Sequence, residues 1–102
     1  MERLYRMVEG SNRKFPDGVD PYQMATRLLE ECGEVASEIN HWENSGTKKQ
    51  KHGDPSKEKL ADELRQSMAE LIKIAMYYHV EKELEASIDK KLQQYQKEGL
   101  LK

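Results

Sequence analysis

Four glutamates between positions 30 and 38 are the residues of this sequence best suited to chemistry. Three of them, Glu31, Glu34 and Glu38, are spaced by three and four residues, so they share one stripe if the segment is helical. Glu30 lies beside them, one turn before Glu34. Like charges at this spacing repel each other by a few tenths of a kcal/mol per pair, roughly. Such a face either stays in water or holds cations.

A second stretch carries a matching polar set. Glu63, Gln66 and Glu70 are again three and four residues apart. Two antiparallel helices would place Glu31 and Glu34 opposite this set. Oxygen atoms that converge in this way suit a hard divalent ion such as Mg²⁺, which keeps several waters and meets the phosphates of a substrate. The alternative interpretation is that both acidic faces are simply solvated.

Two long helices are predicted to carry these acids, because apolar residues recur at three- and four-residue steps. The segment 21–43 starts with Asp20 as N-cap and Pro21 in the first turn, and Ser56 caps the segment 57–79. The predicted buried stripes are Met24, Leu28, Cys32, Val35, Ile39 and Trp42 on the first helix, and Leu60, Leu64, Met68, Leu71, Ala75 and Tyr78 on the second.

Shorter helices are predicted over 2–12 and 81–97, the last one ended by Gly99. The polar segment from about 44 to 57 reads as a flexible loop. It holds the dense basic cluster of the chain, which includes Lys48 and Lys49. This cluster is either a solvated loop or a cationic lid that approaches an anionic substrate.

The composition predicts a small single-domain protein that spans residues 1–102. Hydrophobic residues make up 36% and charged residues 35% of the chain, so its core is thin and further burial against a second subunit is expected. The net charge of −2 argues against a general nucleic-acid binder. A lone cysteine on a predicted core stripe, no apolar run of membrane-spanning length and no signal-peptide pattern lead us to expect a cytoplasmic protein that does not bind membranes.

The motif Glu30-Glu31-Cys32-Gly33-Glu34 resembles the EExxE motif of the MazG-like, all-α NTP pyrophosphohydrolases, relatives of dimeric dUTPases and phosphoribosyl-ATP pyrophosphohydrolases. The stretch 63–66 stands where that family has ExxD, and 71–75 fits the apolar run that follows. The resemblance extends from about Tyr22 to Tyr95. It implies a four-helix bundle, assembled as a dimer or a dimer of dimers. It also implies Mg²⁺-dependent hydrolysis, with Mn²⁺ as a substitute, of a nucleoside triphosphate to a monophosphate and pyrophosphate, for example to remove non-standard nucleotides.

The resemblance also assigns roles to individual residues. It implies that Glu31, Glu34 and Glu63 hold the metal. Glu30 or Glu38 would take a proton from the attacking water or hold a metal-bound water. Lys91 falls where relatives often place a basic residue near the triphosphate, although a lone lysine on a helix is commonly just solvated.

Two positions depart from the family pattern. Gln66 stands in place of a metal-binding Asp, and its amide brings no negative charge. Glu70 stands where relatives often present an aromatic side chain that stacks on the base. It either replaces the lost carboxylate from one turn away or disturbs nucleotide stacking. Two hypotheses therefore remain: an active pyrophosphohydrolase, or a catalytically weakened helical dimer that binds a nucleotide or a protein partner without turnover.

Overall fold

A computed structural model describes residues 1–43 and 54–102, and all regular structure in these ranges is helical. The α-helices are α1 (Glu2–Lys14), α2 (Pro21–Trp42), α3 (Lys57–Tyr77) and α4 (Glu81–Lys97), and a short 3-10 helix (Pro16–Gly18) follows α1. The prediction of an all-α chain with four helices is confirmed for the described residues. Among them, no helix has the length and apolar character that crossing a membrane requires.

The starts of the two long helices follow from their capping residues. One carboxylate oxygen of Asp20 accepts hydrogen bonds from the backbone N–H groups of Tyr22 and Gln23, at 2.9 and 3.0 Å. The hydroxyl of Ser56 accepts one from the backbone N–H of Lys59 at 3.1 Å. Both caps satisfy donors that the first helical turn leaves free, as the sequence predicts.

The two long helices are antiparallel neighbours. Lys59 in the first turn of α3 lies beside Glu38 near the end of α2, with 3.6 Å between Nζ and Oε1. Closer to the middle of both helices, Glu31 lies near Glu63 and Glu70. This pairing carries most of the packing in the chain, and α1 adds a further contact with α3.

The predicted buried stripes are wrong in most positions. Their exposed members are Cys32, Ile39 and Trp42 on α2, Leu64, Met68 and Leu71 on α3, and Tyr78 directly after α3. The face of α2 that turns inward carries Met24, Leu28, Glu31, Val35, Glu38 and His41. The physical reason is that the acidic and apolar stripes lie on adjacent faces of α2, and a single neighbouring helix covers only one of them. In this chain α3 packs on the face that contains Glu31 and Glu38.

The chain is open for its length. Its radius of gyration is 16.8 Å, whereas a compact domain of this size has about 13 Å. Helix α4 has no buried residue. Its apolar stripe is largely exposed, with Ile88 at 41% and Leu92 at 45%. A hydrogen bond from the Tyr5 hydroxyl to Glu85 Oε2, 3.1 Å long, links α4 to α1.

Candidate functional site

Three glutamates meet where α2 and α3 pack together, and we call Glu31, Glu63 and Glu70 the acidic cluster. Glu70 is buried, and the other two are half-buried. In each of them Oε2 is shielded from solvent and accepts no hydrogen bond from the described residues. Because buried carboxylate oxygens in folded proteins normally have a hydrogen-bond partner, these three oxygens can each accept a hydrogen bond or bind a cation.

The electrostatics of Glu31 indicate that it lies near the other two members of the cluster. Burial is the main cause that raises the pKa of this carboxyl above its ordinary value near 4.5. The negative charges of Glu63 and Glu70 raise the pKa further, and those of Glu34 and Glu30 add to it. The first two belong to α3, so the charges that act most strongly on Glu31 come from the facing helix.

Glu70 also contacts a basic residue that sequence reasoning missed. Lys73, one turn later on α3, is only 5% exposed, and its Nζ lies 3.8 Å from Glu70 Oε1. A lysine is seldom buried to this degree unless it is paired. The spacing of three residues from Glu70 was the available signal, but lysines with this spacing are common on solvated helix faces.

A second buried polar group lies toward the end of α2, two turns beyond Glu31. Glu38 is completely buried. Its Oε1 lies 3.6 Å from Lys59 Nζ, and its Oε2 lies 3.8 Å from His41 Nδ1. This carboxylate therefore lies between Lys59 of α3, which joins the two helices, and His41 of its own helix. Lys59 and His41 were not identified as partners from the sequence.

The remaining predicted site residues are half-buried or exposed. Glu34 is exposed on α2, and Gln66 is half-buried on α3. Glu30 is exposed and lines an open groove together with Glu31 and Arg27. Lys91 is exposed on α4, where its Nζ lies 3.2 Å from Gln94 Oε1 and 5.7 Å from the centre of the Tyr95 ring. The predicted substrate contacts Lys48 and Lys49, with most of the basic loop, lie outside the described residues.

The chemistry of the acidic cluster fits a hard divalent cation. Carboxylate oxygens are the preferred ligands of Mg²⁺ and Mn²⁺, and three of them here accept no hydrogen bond from the part of the chain that the structure describes. However, within 1–43 and 54–102 no three Asp, Glu, His or Cys side chains are set closely enough to hold one ion. The structure thus brings the three glutamates to one interface, but as placed they do not form a coordination shell.

Comparison of the chain with protein-family models, with curated proteins and with solved structures finds no match in any of the three. The resemblance to the MazG-like family therefore rests on the motif residues Glu30 to Glu34 and on the acidic positions of α3.

Proposed function

We propose that this protein is a divalent-cation-dependent nucleoside triphosphate pyrophosphohydrolase of the MazG-like type, which works in the cytoplasm on surplus or non-standard nucleotides. The observation that carries the proposal is the acidic cluster. It gathers three solvent-shielded carboxylate oxygens that have no hydrogen-bond donor among the described residues. In a solvated acidic face, water would satisfy these oxygens. Their burial therefore favours a cation as the missing partner.

Each member of the site has a distinct task in this proposal. Glu31 and Glu63 face each other across the helix interface and would hold Mg²⁺ or Mn²⁺, with Glu70 supplying the charge that Gln66 lacks. When bound, the ion neutralises phosphate oxygens and lowers the pKa of a coordinated water. Glu30 is exposed in the groove next to Glu31, so it is placed to accept the proton that the attacking water loses.

In this reaction the protein mainly positions the water and the triphosphate and stabilises the charge on the phosphate oxygens. Water attacks a phosphorus atom of the triphosphate, and the anhydride bond between the α- and β-phosphates breaks. The products are a nucleoside monophosphate and pyrophosphate. Since the attacked phosphorus is surrounded by negative oxygens, the cluster must be charge-balanced before the substrate can enter. The completely buried Glu38 is engaged by Lys59 and His41, which favours Glu30 over Glu38 as the proton acceptor.

The functional unit in this proposal is a homodimer or a dimer of such dimers. The chain exposes 7963 Å². A compact monomer of 11.9 kDa exposes about 6,000 Å². The excess is more than the roughly 800 Å² that each partner buries in a standard interface. Exposed apolar side chains, among them Leu71 of α3 and Leu92 of α4, would be covered by a second copy of the chain.

A second candidate function is supported by specific features of the same site. Gln66 is neutral, and the ammonium of Lys73 lies beside Glu70, so the cluster has less negative charge than an all-carboxylate site. A catalytically weakened helical dimer would retain the fold and bind a nucleotide or a protein partner without turnover.

The deciding experiment measures pyrophosphate release from a panel of standard and non-standard ribo- and deoxyribonucleoside triphosphates, with Mg²⁺ and with Mn²⁺. We expect release that depends on the metal and falls at least a hundredfold in Glu31→Gln and Glu63→Gln. Glu9→Gln, an exposed change on α1, is the matched control and should keep full activity. No release from any substrate by folded parent protein would contradict the enzyme proposal, and nucleotide binding without release would support the second candidate.

A further inference from the structure

Lys73 is the buried charge that the proposed function leaves unexplained. It is 5% exposed, and the charged group next to it, Glu70, is 9% exposed. Withdrawing an ammonium group from water is costly unless an opposite charge compensates it. Both side chains belong to α3, so their pairing does not hold two helices together. A structural role as a link between helices therefore does not account for the pair.

The charge balance of the acidic cluster suggests what the lysine does. Three ionised carboxylates at one interface would repel each other: burial is the main cause that raises the pKa of Glu31, and the charges of Glu63 and Glu70 raise it further. The ammonium of Lys73 lies 3.8 Å from Glu70 Oε1 and offsets one of the three charges. Two negative charges remain, which equals the charge of one divalent cation. Glu70 Oε2 stays without a hydrogen-bond donor among the described residues and is free to act as a ligand.

We propose that Lys73 is a positioning residue, the internal counter-ion of the acidic cluster. It holds Glu70 at the α2–α3 interface, allows the cluster to fold without metal, and competes with a divalent cation for the Glu70 carboxylate. Only this last part rests on the function proposed above. The counter-ion role itself concerns the metal-free protein and is tested separately.

The first test is a double-mutant cycle in metal-free protein, with stability measured by urea unfolding. Lys73→Met keeps most of the aliphatic stem and removes the charge, so it should lower stability clearly. Glu70→Gln in the Lys73→Met background should recover at least half of that loss, because it removes the carboxylate left without its counter-ion. Lys73→Arg keeps the charge and should stay closer to the parent than Lys73→Met. If Glu70→Gln recovers nothing, Lys73 acts through packing alone and the counter-ion proposal is wrong.

A folding defect in Lys73→Met still gives an answer. If Lys73→Met is unfolded while the double variant with Glu70→Gln is folded, the proposal is supported. If both are unfolded, it is contradicted, since relief of the unpaired carboxylate then has no effect.

The second test measures the Mn²⁺ concentration at the midpoint of metal-dependent thermal stabilisation. Loss of a positive charge beside the cluster should tighten Mn²⁺ binding about tenfold or more in Lys73→Met relative to the parent. Lys73→Arg should bind Mn²⁺ like the parent. If the midpoint Mn²⁺ concentration is the same in Lys73→Met and the parent, Lys73 does not compete with the cation for Glu70. If neither protein responds to metal although the cycle shows rescue, the metal site of the proposed function is wrong and the counter-ion role stands.

Discussion

The carboxylate of Glu38 near the end of α2 lies 3.6 Å from the ammonium of Lys59 in the first turn of α3, and its side chain has no exposed surface. Lys59 itself is half exposed, with 50% of its side chain in contact with solvent. The pair thus joins a buried acid to a base at the surface. His41, whose Nδ1 lies 3.8 Å from Glu38 Oε2, approaches the same carboxylate from within α2.

Removal of the Lys59 charge should therefore destabilise the fold. Lys59→Met removes the ammonium group beside the buried carboxylate of Glu38. We expect a loss of about 1 kcal/mol in the free energy of unfolding, at the low end for a buried charge because Lys59 is half solvated. Urea unfolding at neutral pH measures this change. Lys57→Met, at an exposed position one residue into the same helix, is the control and should stay close to the parent. Equal stability of both variants and the parent would show that the pair is not a stabilising contact.

The second prediction concerns the backbone at the C-terminal ends of α3 and α4, where both helices end with the same hydrogen-bond pattern. The N–H of Val80 bonds to the carbonyl of Ala75, and that of Leu100 bonds to the carbonyl of Tyr95, each at 2.9 Å. This pattern places the residue before each donor in the left-handed region, where His79 has φ +56° and Gly99 has φ +75°. Glycine adopts this region freely, but a residue with a Cβ is strained there.

His79→Gly should consequently stabilise the protein by about 1 kcal/mol, which corresponds to a rise in Tm of about 4–8 °C. The matched control is Gly99→Ala. Its new Cβ would meet no heavy atom within 4 Å, so its cost is conformational, and we expect a loss of similar size. Differential scanning calorimetry measures both. A lower Tm in His79→Gly would mean that the imidazole makes a contact worth more than the backbone strain.

The element boundaries were predictable from sequence to within about two residues because local signals set them. Asp20 and Ser56 cap the long helices through their own side chains, and Gly99 ends the last one. Which face each helix buries was not predictable in the same way. Cys32 and Ile39 follow a helical apolar pattern but are exposed, while Glu38 is buried. Hydrophobic periodicity shows that a face is apolar, and it does not tell which element of the chain packs on it.

The sequence predicted only part of the candidate site, because spacing places residues on a helix but does not specify which of them are buried. The spacing of Glu31 and Glu63 placed them on facing helices, and the structure brings them together. The ion pair between Lys73 and Glu70 depends on burial, which sequence spacing does not specify. Glu34 matches the motif equally well but lies exposed on α2.

The third prediction tests whether two copies of the chain associate through α4. Ile88 lies in the middle of the exposed apolar stripe of α4, and Ala86 lies on the opposite side of that helix. A charge at position 88 would have to be buried in the proposed interface, so Ile88→Asp should weaken self-association at least a hundredfold. Ala86→Asp adds the same charge where no partner is expected and should leave association unchanged. Sedimentation equilibrium measures both. A parent protein that is monomeric at micromolar concentration would contradict the dimer.

The fourth prediction follows from the direction of the Glu31 pKa. Burial and the charges of Glu63 and Glu70 raise this pKa above the ordinary value near 4.5, so the folded protein holds the proton more tightly than the unfolded chain. The resulting stabilisation is fully present below pH 4.5 and is lost as the pH rises through the raised pKa. Above that range the ionised carboxylate opposes folding in the absence of metal.

Glu31→Gln should therefore be more stable than the parent at neutral pH in metal-free buffer, and this advantage should disappear on acidification. Urea unfolding at a series of pH values measures the difference. Glu9→Gln on α1 is the control, for which we expect no pH-dependent advantage. Addition of Mn²⁺ should reverse the order, because the parent gains a ligand and the variant has lost one. A Glu31→Gln protein less stable than the parent at every pH without metal would show that the carboxylate has a stabilising partner.

The last prediction separates the enzyme from the weakened family member. If the enzyme proposal holds and the site is short of one carboxylate, Gln66→Asp should strengthen Mg²⁺ binding, since an added negative charge improves the balance around a doubly charged ion. Pyrophosphate release should then rise or hold. If Glu70 already supplies that charge, Gln66→Asp should crowd the site, and Glu70→Ala should be the damaging change.

Glu70 is buried, and its Oε2 accepts no hydrogen bond within residues 1–43 and 54–102, so we expect the second of these outcomes. We predict that Glu70→Ala lowers Mg²⁺ affinity and pyrophosphate release at least tenfold, and that Gln66→Asp changes either by less than threefold. Isothermal titration calorimetry and a pyrophosphate assay on the same protein preparations measure both quantities. In a weakened member neither substitution changes turnover. Flat results in parent, Gln66→Asp and Glu70→Ala, with each protein folded, would therefore remove the acidic cluster as a metal site and leave α2 and α3 as a scaffold for binding.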